Sequence, residues 1–171
     1  MTLSKFYHSD ARGSLSKINL SDLPDNFIPT ESIISSTKVA FTARGLHQSL
    51  PPMAEQKLIA CVSGSVIWVV IQQQNPDSYN VCSHLLTESD SKVLHVEKGL
   101  IHGCISLADN THIQILSDQS YSSSHSKYYS WNGIIDQIAK FYGLDLTHLS
   151  FLDIDSPDLP TNSSTFSFSY S

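Results

Sequence analysis

Two β-rich segments meet at a glycine in the stretch KLIACVSGSVIWVVIQ, residues 57–72. Val, Ile and Trp fill residues 66–71 with little alternation between apolar and polar side chains. Such a run predicts a strand that is covered on both faces, as in the wall of a sandwich or barrel. Two more short strands, each ending in turn residues, are predicted in KVLHVEKG (92–99) and THIQILSD (111–118). We therefore expect a mainly β fold.

Helical structure is expected at two places. In WNGIIDQIAKFYG, residues 131–143, apolar side chains recur at helical spacing and Gly143 is a suitable C-terminal stop. A second, shorter helical stretch is predicted in LSDLPD, residues 20–25. Residues 1–157 are interpreted as one domain and the polar residues 158–171 as a loosely ordered tail, with an edge strand built on the alternating Phe166, Phe168 and Tyr170 as the alternative.

The composition of the chain limits the kinds of molecule that it is expected to bind. With 171 residues, ten Lys and Arg, and a net charge of -6, the chain has no basic patch for a nucleic acid backbone, although a small anionic ligand remains possible. Its three cysteines are widely spaced in apolar surroundings and are expected to be reduced core thiols. The N-terminus has no apolar signal segment and no stretch is long enough to span a bilayer, so we expect a cytoplasmic protein.

Two of the eight histidines stand out from the rest. His47 in RGLH and His102 in GLIHG adjoin glycine-containing turns at strand ends, where side chains can point into a shared cavity, whereas His84 and most others have polar contexts typical of surface residues. The chain has no H-x-H step, so we predict neither a metal nor another cofactor. Arg44 and Lys57 instead favour an anionic or enolate-forming substrate. Arginine can form two parallel hydrogen bonds to a carboxylate or phosphate, and lysine can stabilise an oxyanion.

A resemblance to a known family rests on five short blocks in order. RGLHQSLPPMAEQKLIACVSGSV, residues 44–66, resembles the pattern RGLHxQ…PxxQxKLVxxxxGxV of the dTDP-4-dehydrorhamnose 3,5-epimerase family. The other blocks resemble the family in DARG (10–13), LHVEKGLIHG (94–103), SYSSSHSKYYSWN (120–132) and LSFLDIDSP (149–157). Five blocks in this order are far more specific than any one of them.

The resemblance implies a cupin double-stranded β-helix jelly roll and a metal-free homodimer that acts on nucleotide-linked 4-keto-6-deoxy sugars. It implies that His47 removes the proton next to the ketone, oriented by Asp153, with Asp155 as the fallback. Lys57 and Arg44 fall on the cations that stabilise the enolate, and His102 on a histidine that lines the pocket. It further implies that Arg12 reaches across the dimer to the nucleotide diphosphate, and Tyr121 is a candidate contact to the base or sugar.

The chain also departs from the family pattern. Ile115 stands where the family has its proton-donating tyrosine, and Trp68 and Gln72 replace two aspartates. Because isoleucine cannot donate a proton, we expect an epimerase-like isomerase that inverts one carbon only. Two alternatives remain open: a cupin that binds the sugar nucleotide without turnover, and a ketoisomerase or dehydratase that uses the same enolate.

Overall fold

The computed structural model describes residues 2–76, 78–151, 157–159 and 165–171. Within these residues the strands are β1 (Thr2–Asp10), β2 (Gly13–Ile18), β3 (Glu31–Thr37), β4 (Thr42–Ser49), β5 (Lys57–Ser63), β6 (Ser65–Asn75), β7 (Ser78–Thr87), β8 (Lys92–Val96), β9 (Ile101–Ser106), β10 (Thr111–Ser117), β11 (Ser126–Tyr128), β12 (Ser150–Phe151) and β13 (Thr165–Tyr170). The helix α1 is Ile135–Tyr142, and short 3₁₀ turns lie at Leu20–Asp22, Ser123–His125 and Leu146–His148.

The strands form two sheets. The six-stranded sheet has the order β2-β1-β8-β5-β10-β3, and the second sheet has the order β11-β4-β9-β6-β7-β13, with β12 beside β4. Most neighbouring strands are antiparallel, whereas β12 and β13 pair in parallel with β4 and β7. Side chains from both sheets share one apolar cluster, so the sheets pack face to face as in a jelly roll.

The apolar run in β6 is buried on both faces, as predicted. Val66 and Trp68 point between the sheets, whereas Ile67 and Val69 join the cluster under α1 on the other face. Each such side chain stabilises the fold by about 1.5–3 kcal/mol when it is fully removed from water. Successive side chains of a strand alternate in direction, so only a strand covered twice can be apolar throughout.

Helix α1 covers the outer face of the second sheet. Ile134 and Ile138 are fully buried there. Gly143 ends the helix in the left-handed conformation, with φ of 67°, and its N–H donates to the Ala139 carbonyl. The predicted helix and its stop are confirmed, and the 3₁₀ turn at Leu20–Asp22 lies in the shorter predicted stretch. No helix in the described ranges is long and apolar enough to cross a membrane.

The structure differs from two expectations. Residues 165–170 of the expected loose tail form β13, because Phe166 stacks on Tyr79 and Tyr170 stacks on Phe141. The edge strand named as the alternative therefore describes this part of the tail. His84 is partly buried rather than solvated, and its Nε2 lies 3.3 Å from the Cys82 sulfur, because β7 is flanked by β6 and β13.

Candidate active site

A cavity of about 250 Å³ opens between the sheets. Five residues that the sequence singled out line it together: Arg44, His47, Lys57, His102 and Tyr121. Arg44, His47 and His102 come from the second sheet, whereas Lys57 comes from β5 in the six-stranded sheet. The cavity therefore has a histidine-bearing wall and a lysine-bearing wall that face each other.

Two glycines explain how Arg44 and His47 reach the same cavity. In a regular strand, residues three apart point to opposite faces. The pairing of β4 with β9 shifts between Arg44 and His47, at Gly45 with φ of 85°. A Cβ on the facing Gly103 would lie 2.6 Å from the Arg44 carbonyl oxygen, so only glycine permits this close approach. The bulge therefore accounts for the RGLH spacing.

His47 is a neutral imidazole at the wall of the cavity. Burial, and to a smaller extent the charge of Lys57, lower its pKa to about 4, and the charge of Glu55 partly opposes this shift. The ring lies edge-on to His102, with 5.5 Å between centroids. At neutral pH the ring is unprotonated and can therefore accept a proton.

A serine determines which His47 nitrogen is free to accept that proton. Ser126 Oγ lies 3.1 Å from His47 Nε2 and donates its hydrogen to the Ser122 carbonyl at 2.8 Å. Because a hydroxyl has one hydrogen, Ser126 can only accept from Nε2, which must carry the imidazole proton. The lone pair is then on Nδ1. Asp153 and Asp155, the orienting carboxylates implied by the resemblance, lie outside the described residues.

Lys57 is held by a carboxylate that the sequence reasoning missed. Its Nζ lies 2.9 Å from Glu55 Oε1, and the two side chains are only 13% and 5% exposed. Ser117 Oγ donates to the other Glu55 oxygen at 2.8 Å. The family pattern could have drawn attention to Glu55, because PxxQxK has glutamine at this position. The ion pair brings a compact cation to the cavity without an unpaired buried charge.

His102 has an aromatic neighbour where the family pattern has an aspartate. Trp68 stacks on its ring with 5.7 Å between centroids and an angle of 22°. Burial lowers the His102 pKa well below its usual value, and the nearby Lys57 and His47 act in the same direction. His102 is therefore neutral and presents an uncharged ring to the cavity.

Arg44 and Arg12 occupy different places. Arg44 donates from Nε to Thr37 Oγ1 and from Nη2 to the Ser36 carbonyl, both at 3.1 Å, so β3 fixes its direction. Arg12 lies on the turn between β1 and β2, where its side chain is 90% exposed and pairs with Asp10 at 2.6 Å. This chain does not bring Arg12 to its own cavity.

Two tyrosines stand beside His47. The hydroxyls of Tyr121 and Tyr128 are 2.9 Å apart, and their ring centroids lie 6.2 and 5.2 Å from that of His47. On the facing wall, Ile113 and Ile115 of β10 are apolar. Among the described residues, no three His, Cys, Asp or Glu side chains are grouped as metal ligands.

Comparison with known sequences gives one family. The model described as dTDP-4-dehydrorhamnose 3,5-epimerase matches residues 2–159. The enzyme of that name from Mycobacterium tuberculosis H37Rv is 36% identical over 89 residues, which are 51% of this chain and 44% of the relative. The one from Sinorhizobium fredii is 30% identical over 93 residues, 53% of this chain and 48% of the relative. The match thus spans about half the length of these curated relatives.

Solved structures show the same fold. The dTDP-4-dehydrorhamnose 3,5-epimerase of Bacillus anthracis, with TDP and PPi bound, is 25% identical with a TM-score of 0.66, covering 97% of this chain and 87% of its own. The corresponding epimerase of Elizabethkingia anophelis has a TM-score of 0.71 at 18% identity, covering 92% and 89%. A 3'-monoepimerase from Streptomyces bikiniensis, in complex with dTDP-quinovose, has a TM-score of 0.69 at 17% identity, covering 94% and 83%. These likenesses confirm the predicted cupin-type jelly roll.

Proposed function

Because the chain belongs to the dTDP-4-dehydrorhamnose 3,5-epimerase family, we propose that it is an isomerase that epimerises a nucleotide-linked 4-keto-6-deoxy sugar at one carbon. The observation that carries this proposal is the neutral imidazole of His47 sharing one cavity with the ammonium group of Lys57. A base beside a cation is what removal of a proton next to a ketone requires.

The chemistry begins at His47. Nδ1 takes the proton from the carbon next to the ketone, and the electrons of the broken C–H bond form an enolate. Lys57 stabilises the negative charge that develops on the ketone oxygen, an interaction typically worth about 3–4 kcal/mol in the transition state. General base catalysis by a positioned imidazole contributes roughly 10²–10⁴-fold.

We assign binding of the nucleotide part of the substrate to Arg44 and Arg12. Arg44 is directed by β3 at the cavity and supplies a forked donor for an anionic group of the substrate. In the proposed homodimer, Arg12 of one chain contacts the diphosphate bound by the other, which its exposed position on the β1–β2 turn allows. The relative with TDP bound, at 25% identity, supports a dTDP-linked substrate.

Deuterium exchange tests this function. The protein is incubated in deuterated water with a dTDP-linked 4-keto-6-deoxyhexose, and NMR follows the sugar protons at carbons 3 and 5. We expect deuterium to enter at one of these carbons, and replacement of His47 by Gln to abolish its entry. His148→Gln is the matched control, because His148 is 66% exposed and outside the cavity lining.

Two results would contradict the proposal. If His47→Gln exchanges at the wild-type rate, His47 is not the base. If the wild-type protein binds the sugar nucleotide but exchanges no proton, the chain is a binding module. The replacements Ile115 and Trp68 are the observations that favour this second candidate function, because each removes an ionisable group from the family's pattern.

A further inference from the structure

Inversion of a carbon needs a base on one face and a proton donor on the other. His47 lies on the wall formed by the second sheet. From the six-stranded sheet, the described residues that line the facing wall are Ser35, Lys57, Ile113 and Ile115. The isoleucines have no proton to give, and an unactivated serine hydroxyl is a very weak acid. Lys57 is therefore the ionisable group that this wall offers.

We propose that Lys57, ion-paired with Glu55, returns the proton to the face of the sugar opposite His47. This inference rests on the proposed function and adds a second catalytic role to Lys57. Like the phenol of the tyrosine that Ile115 replaces, an ammonium group carries a proton that it can transfer to carbon.

The position of Lys57 relative to Ile115 supports the proposal that Lys57 replaces the family's tyrosine as the proton donor. Lys57 pairs with Ser117 across β5 and β10, two residues from the pair formed by Ile59 and Ile115. Because side chains two apart on a strand share a face, Lys57 and Ile115 belong to adjacent strands of the same wall. The ammonium group thus comes from the wall on which the family pattern has its tyrosine.

Glu55 is the ion-pair partner of the proposed proton donor Lys57. Its carboxylate contacts Lys57 Nζ at 2.9 Å and is itself held by Ser117. Glu55 occupies the position at which the family pattern has glutamine. Relative to that pattern, the chain therefore has an additional carboxylate beside Lys57 and lacks a tyrosine on the same wall. The Glu55 carboxylate thus pairs with the Lys57 ammonium group on the wall that lacks the tyrosine, and neither charge is buried without a partner.

The proton and electron balance of the step is complete. His47 Nδ1 takes the first proton, and the pair from the broken C–H bond forms the enolate. A Lys57 N–H bond then breaks, its pair stays on nitrogen as a neutral amine, and the enolate pair forms the new C–H bond as the ketone returns. The imidazolium of His47 afterwards loses a proton to water, and the Lys57 amine takes one from water.

The two tyrosines are the competing donors. Tyr128 is the register partner of His47 across β11 and β4, and directly opposed residues of an antiparallel pair project from the same face. Tyr128 therefore stands beside the base rather than across from it, and Tyr121 is bonded to Tyr128 through its hydroxyl. A proton from this pair would return to the face from which His47 removed it.

The test separates exchange from inversion in one NMR experiment with the dTDP-linked 4-keto-6-deoxyhexose. Lys57→Arg keeps the positive charge but has a guanidinium that does not release its proton. We expect exchange to continue within about tenfold of wild type while inversion falls about 100-fold or more. The double variant Lys57→Arg with Ile115→Tyr should regain inversion, and Glu55→Gln should lower the ratio of inversion to exchange. Lys98→Arg, at a lysine paired with Asp118 outside the cavity lining, is the matched control.

Several results would overturn the assignment. If Lys57→Arg inverts the sugar at the wild-type ratio, Lys57 is not the donor. If Tyr128→Phe exchanges but no longer inverts, the tyrosine pair is the donor. Exchange without inversion by the wild-type protein would remove the second role of Lys57 and leave His47 as base, whereas no exchange at all would remove the proposed function with it. If Lys57→Arg does not fold, the ratio of inversion to exchange in Glu55→Gln tests the assignment instead.

Discussion

Replacing His47 with glutamine should remove a defined part of the pH dependence of stability. The pKa of His47 is about 4 in the folded protein and about 6.5 in an unfolded chain. Between these values the unfolded state binds more protons than the native state, so the free energy of unfolding rises with pH across this window. This contribution is complete above pH 6.5 and is lost as the pH falls towards 4.

The size of the effect follows from the shift. One pKa unit corresponds to about 1.4 kcal/mol, so the whole shift is worth about 3 kcal/mol, of which about 2 kcal/mol is lost between pH 7 and pH 5. Glutamine keeps an N–H donor for Ser126 but does not titrate. The stability difference between wild type and His47→Gln should therefore change by about 2 kcal/mol across these two pH values.

Urea unfolding of both proteins at pH 7, 6 and 5 measures this difference. Other histidines with lowered pKa values that do not interact with His47, such as His95, contribute equally to both proteins and cancel in the double difference. An NMR titration of the His47 ring should give a midpoint near pH 4 in the wild-type protein. Parallel stability profiles for the two proteins would refute the burial of His47 in the cavity wall and, with it, the electrostatic argument for the site.

Three further changes test the surroundings of the cavity. Ser126→Ala should lower kcat for exchange about tenfold with little change in KM, since the tautomer of His47 is no longer set, and Ser126→Thr should restore it; steady-state kinetics check both. Gly103→Ala should destabilise the fold by about 2–3 kcal/mol in urea unfolding, because its Cβ would meet the Arg44 carbonyl at 2.6 Å. Arg44→Lys should raise the Kd for dTDP about tenfold by calorimetry, because lysine cannot contact Thr37 and Ser36 and also present a fork to the ligand.

Local pattern was enough to predict the main secondary structure. The strands over 57–72 and the helix that ends at Gly143 follow from apolar spacing and a glycine stop, which act over a few neighbouring residues. The strand at 165–170 was less certain from sequence, because its alternating aromatic residues are stabilised by stacking against Phe141 and Tyr79, which are far away in the chain.

The resemblance placed Arg44, His47, Lys57 and His102 in one site, and the cavity brings them together. It did not reveal Glu55 as the partner of Lys57, although the two are only two residues apart, because no local rule says that both side chains are buried. The bulge that directs Arg44 and His47 to one face also depends on the contact of β4 with Gly103 in β9.

The amino-acid sequence by itself determined the β-rich architecture, the helix and the residue types available for proton transfer, because hydrophobic period and composition are properties of the chain. Tertiary structure decided which groups face one another: Ser126 reaches His47 through strand pairing between residues 79 positions apart, and Lys57 meets His47 only across two packed sheets. Hydrogen bonds and charge interactions act over a few ångströms of space, so the tautomer and pKa of His47 follow from the fold.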